Sequence, residues 1–74
     1  MQDELALVSQ HLVREEIARI VGEAQLGGPT LCAGYHAGLI LATYPDCGFS
    51  VGQLINELSL EASRQRVPVE IGRY

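Results

Sequence analysis

An all-α fold is what this sequence predicts: a compact bundle of three helices over about residues 3–26, 31–44 and 50–65, followed by a short extended segment at 67–71. Three observations lead there. Two stretches return an apolar residue every three or four positions, an uncharged apolar stretch lies between them bounded by turn residues, and strict alternation takes over near the C-terminus. The chain has 74 residues, 47% of them hydrophobic and 19% charged, which is too apolar for a disordered segment and too short for more than a single small helical domain.

In the first helix the positions Leu5, Val8, Leu12, Val13, Ile17, Ile20, Val21 and Ala24 recur with helical period. Asp3 and Glu4 complement the positive end of its dipole, and Gly27-Gly28-Pro29 supplies the stop. The apolar positions drift around the cylinder. Leu5, Val8 and Leu12 point one way, while Val13, Ile17, Ile20 and Ala24 point about a quarter turn further at ~100° per residue. The two halves are therefore expected to meet different neighbours. Glu15 and Glu16 fall on the exposed flank, with Glu15 four residues before Arg19 and so placed for an ion pair.

The second helix, Leu31 to Thr43 or Tyr44, is expected to be capped by Thr30 and ended by the turn Pro45-Asp46-Cys47-Gly48. It carries no charge at all. A helix that is apolar all round must be covered all round, and two sister helices of a short chain do not suffice. Gly34, Gly38 and Ala42 form a ridge of small residues along which another backbone can approach closely. Either the first helix fills that groove or a second copy does, and the surplus of apolar surface tips the expectation toward a homodimer. Tyr35 and Tyr44 are expected to anchor core or interface with their hydroxyls in water.

Ser50 and Gln53 have the spacing of a capping box, and Val51, Leu54, Ile55, Leu58 and Ala62 make a single apolar face on the third helix. Beyond Arg66, the residues Val67, Val69 and Ile71 alternate with Pro68 and Glu70, the pattern of an edge strand. No second strand is evident, so this tail is expected to lie over the helices or to pair with another chain. Gly34, Gly38, Ala42, Val67, Val69 and Ile71 are accordingly the expected interface.

Charge and cysteine usage narrow the function classes. The net charge is −4, divided into −6 over residues 1–61 and +2 over residues 62–74, where Arg64, Arg66 and Arg73 meet only Glu70. An acidic body is a poor match to a phosphate backbone, so nucleic acid is not the expected partner. Cys32 and Cys47 are too few for a disulfide framework, and Met1-Gln2-Asp3-Glu4 does not open a signal peptide, so a reduced cytoplasmic protein is expected. The uncharged central stretch is too short for a membrane span.

Candidate chemistry is sparse. Cys32 and His36 share a helix face, and Cys47, His11 or Asp46 would have to complete a zinc site, without a Cys-x-x-Cys or His-Glu-x-x-His pattern. Cys47, ahead of a helix N-terminus, is placed for a lowered thiol pKa but has no base beside it. No nucleophile elbow or phosphate loop is present. The expectation is a non-enzymatic helical interaction module without cofactor or metal, most simply a homodimeric regulator, adaptor or inhibitor. The alternatives are a helix-turn-helix DNA-binding regulator and a Cys/His metal or thiol sensor.

Overall fold

The computed structural model describes residues 2–27 and 30–71, with side chains described from Leu7 onward. Three helices form in order: α1 (Gln2–Gly27), α2 (Ala33–Thr43) and α3 (Val51–Arg64). Two short strands, β1 (Leu31–Cys32) and β2 (Val69–Glu70), pair in parallel. The all-α bundle is the fold, with this strand pair as its one departure among the described residues. Leu5, Asp3 and Glu4 by their side chains, the Gly28-Pro29 stop and Arg73 all lie outside the description.

α3 is the middle of the bundle, with both α1 and α2 packed on it. Its start is the predicted capping box: the Gln53 amide donates to Ser50 Oγ at 3.1 Å, and the Ser50 amide donates to Gln53 Oε1 at 2.8 Å. Its apolar face supplies Leu54, Leu58 and Ala62, all fully buried. Its end is a Schellman turn. The Val67 amide donates to Ala62 O at 2.8 Å and the Arg66 amide to Ser63 O at 3.2 Å, which places Arg66 in the left-handed region at φ 58°. Glycine usually takes that position because it has no Cβ to clash.

The rest of the core comes from Val13, Ile17, Ile20 and Val21 of α1, from Leu31, Ala33, Ala37 and Ile40, and from Cys47 and Val67. α1 is tied to α3 at both ends of this contact. Arg14 Nη1 meets Glu57 Oε1 at 3.3 Å and lies over the Phe49 ring, and the Gln25 side chain donates to the Gln65 carbonyl at 3.2 Å.

Three expectations need correction. The second helix starts at Ala33 rather than Leu31, and its N-cap is Cys32, which makes no side-chain cap bond, instead of Thr30. The reason is the tail. Leu31 is drawn into extended backbone by donating to the Pro68 carbonyl at 2.9 Å, in register with Val69. The tail therefore pairs within its own chain, with β1, the strand that the sequence pattern left unseen. Thirdly, Arg19 does not pair with Glu15. It reaches back to Glu16 and forward to Glu23, while Glu15 lies 3.3 Å from His11.

Candidate functional site

α2 leans on α3, and α1 does the same from another side, so the two leave a cleft between them. Its volume is about 610 Å³. The α1 wall is Glu16, Arg19, Ile20, Glu23 and Ala24, the α2 wall His36, Leu39, Ile40 and Thr43, and Tyr44 and the β1 segment close the ends. The position of these residues follows from period alone: on each helix they sit beside the buried face rather than opposite it.

The rim of the cleft is ionic and self-contained. The Arg19 guanidinium holds both oxygens of Glu16 in a fork and reaches Glu23 Oε2 at 2.9 Å. The bond from Arg19 keeps Glu16 below its ordinary pKa, against the opposing effect of burial. The two carboxylates raise Arg19 in turn. His36 stands across the cleft, half-buried. That burial, helped by the charge of Arg19 and opposed by Glu16, lowers its pKa and favours the neutral ring. Tyr35 meets the His36 ring edge-on, with centroids 5.3 Å apart.

Some of the hydrogen-bonding groups here are already spent. Arg19 is committed to two carboxylates, and the Thr43 hydroxyl donates to the Leu39 carbonyl at 3.0 Å. What the cleft still offers is apolar surface, with Leu39 47% exposed on its lip and Tyr35 55% exposed next to it.

The predicted interface residues are distributed unevenly. Gly34 and Val67 are buried, Gly38 and Val69 are half-buried, and only Ala42 and Ile71 are exposed. The ridge and the tail do meet, but inside one chain: the Gly34 amide donates to the Ile71 carbonyl at 2.7 Å. The ridge then climbs out of the core toward Ala42. The large apolar residues left in water on the first helix are Leu7, Val8 and Leu12 toward its start, at 65%, 58% and 40% exposure, and Leu26 at its end, at 88%. The helical spacing of Val8 and Leu12 is legible in the sequence, whereas Leu7 and Leu26 fall outside that pattern.

Cys32 and His36 both line the cleft, whereas Cys47 does not join them. Cys47 is a fully buried free thiol in the core, where its sulfur accepts a bond from the Phe49 amide at 3.5 Å, so its side chain is a packing residue rather than a reactive turn thiol. Among the described residues no group of three His, Cys, Asp or Glu side chains is placed to hold a metal ion. The connection from α2 to α3, Tyr44 to Ser50, has seven residues, longer than the three or four of a helix-turn-helix. No helix among the described residues is long and apolar enough to cross a membrane. Comparison of this chain with protein families, with curated proteins and with solved structures finds no match in any of the three.

Proposed function

We propose that this chain is a non-enzymatic helical protein–protein interaction module that works as a homodimer, in the role of a regulator, adaptor or inhibitor. One observation carries the reading. Large apolar side chains stand in water on two helices, Leu7, Val8 and Leu12 on α1 and Tyr35 and Leu39 on α2, and Leu39 lines the cleft whose Arg19 is already paired. Exposed apolar surface of this kind is what association sites offer. A cytoplasmic setting is part of the proposal, since Cys32 and Cys47 are both free thiols.

Size adds weight. A single core below roughly 80 residues rarely supplies more than about 3–5 kcal/mol, so burial against a partner has a large relative effect on stability. Sedimentation equilibrium of the full chain from low to high micromolar concentration tests the reading, and a mass of two protomers is the expected result. Tm should then fall on dilution. A single protomer mass throughout, with Tm independent of concentration, overturns it.

A further inference from the structure

The start of α2 is set from the far end of the chain. Its N-cap, Cys32, makes no side-chain cap bond, and its first turn holds no acid. Amides there are satisfied by the tail instead: Leu31 donates to the Pro68 carbonyl at 2.9 Å and Gly34 to the Ile71 carbonyl at 2.7 Å. Thr30 meanwhile stands exposed at the position that would cap a helix beginning at Leu31. Local sequence and tertiary structure thus favour different starts for one helix, Leu31 and Ala33.

The tail that decides between them is lightly held. Of residues 67–71 only Val67 is buried, Val69 is half-buried, and Pro68, Glu70 and Ile71 are exposed. The rest of the grip is backbone pairing, Leu31 with Val69 and Cys32 with Glu70. At the root of the tail Arg66 is held at φ 58°, a conformation its Cβ opposes. Few buried contacts, exposed backbone bonds and a strained hinge are the marks of a segment that opens ahead of the fold as a whole.

We infer that residues 67–71 are a releasable strap that switches α2 between two starts. In the strapped state Leu31 and Cys32 are extended and the helix begins at Ala33. In the released state Thr30 caps the helix, and Leu31 and Cys32 join it. The Gly34 amide changes partner between the two: it leaves the Ile71 carbonyl and donates to the Thr30 carbonyl, four residues back, as the first bond of the longer helix. The Leu31 amide, now in the first turn, is left to water. Leu31 and Cys32 line one end of the α1–α2 cleft, so the strap also sets the shape of that end. A partner that takes up the free tail as an added strand competes with β1 and shifts the balance toward release. The switch is independent of the homodimer reading.

Nuclear magnetic resonance on the full chain tests it. In the wild type the Leu31 amide should exchange at least about tenfold faster than the Leu58 amide of α3, because the strap opens without global unfolding. Arg66→Gly relieves the hinge and should slow Leu31 exchange roughly two- to fivefold. Val67→Asp puts a charge at the buried anchor and should release the strap. The Cα shifts of Leu31 and Cys32 are then expected to cross from the extended to the helical side of their random-coil values, while those of Leu54 and Leu58 stay. Thr30→Val should abolish that crossing in the Val67→Asp background and leave the otherwise wild-type shifts of Leu31 and Cys32 unchanged. Leu31 and Cys32 that remain extended or turn to coil in Val67→Asp overturn the switch, as does a crossing that survives Thr30→Val. Should Val67→Asp unfold the whole chain, the exchange data decide alone: a Leu31 amide that exchanges at the Leu58 rate and ignores Arg66→Gly overturns the strap, and the faster, Arg66-sensitive exchange supports it.

Discussion

Val8 and Val13 sit five residues apart on the same helix, yet Val13 is fully buried and Val8 is 58% exposed. Along the described part of α1, Val13, Ile17, Ile20 and Val21 enter the core, while Leu7, Val8 and Leu12 before them and Leu26 after them stay in water. Direction explains part of it, since at ~100° per residue Val8 lies about 140° round the axis from Val13, and helix length adds the rest. At ~1.5 Å per residue the 26 residues of α1 run about 39 Å, while the 14 of α3 and the 11 of α2 run about 21 and 16 Å. The longest dimension of the molecule, 40 Å, equals that length of α1 within an ångström. Its partners are too short to follow it to the N-terminal end. Helical period decides which side of α1 a residue takes, and the length of the neighbours decides how far along the helix any side is covered.

The sharpest way to break this contrast is to make the same substitution on both sides of it. Val13→Ala removes two methyl groups from a closed core and leaves a void, which costs about 2 kcal/mol. For a small domain that is a large share of total stability. Val8→Ala, measured at a concentration where the protein is monomeric, should change stability by less than about 0.5 kcal/mol. Urea denaturation followed by circular dichroism reads both. If the two variants lose equal stability in the monomer, the N-terminal part of α1 is docked on its own chain and the contrast is gone.

A smaller effect sharpens the docked side. The C-terminal half of α1 is pinned where Gln25 bonds the Gln65 carbonyl, next to the turn that holds Arg66 at φ 58°. Arg66→Gly removes the Cβ that makes this conformation costly and should raise stability by roughly 0.5–1 kcal/mol, part of the relief being offset by the greater freedom of glycine in the unfolded chain. Arg66→Ala discards the charge but keeps the Cβ, so it should bring little gain. Equal gains from both would trace the effect to charge instead of backbone.

Legibility from the sequence followed how local each decision was. α3 was readable because its cap is two side chains three residues apart and its face needs only one period. The start of α2 was not, because Leu31 is committed by a bond to Pro68, far along the chain, and a two-residue strand has no period to detect. Cys47 looked like a turn thiol since its neighbours are turn formers, and only the assembled core shows the sulfur inside. The surplus apolar surface expected on α2 is there in part, since Tyr35 and Leu39 stand in water while Ala37 and Ile40 are buried, and more of it lies on α1, whose predicted length already exceeds that of the other helices. The cleft could not be anticipated at all, because it depends on the angle at which two helices meet a third.

The smallest expected effect concerns that cleft, where the docked half of α1 faces α2, and its sign follows from His36. Burial and Arg19 lower the His36 pKa in the folded chain beneath its ordinary value of 6.5, so below that value the unfolded chain binds the extra proton first. Stability should accordingly decline as pH falls from about 7 toward the folded pKa of His36. The loss levels off below that point, once both states carry the proton. Glu16 behaves as a lowered carboxylate: the stability it gains from Arg19 is present above 4.5 and disappears as pH drops through its folded pKa. Two separate acid steps in Tm are therefore expected, the upper one absent in His36→Gln and the lower one reduced in Arg19→Gln. A Tm profile for His36→Gln that still declines between pH 7 and 5 as the wild type does would place the titrating group elsewhere and open the cleft fully to water.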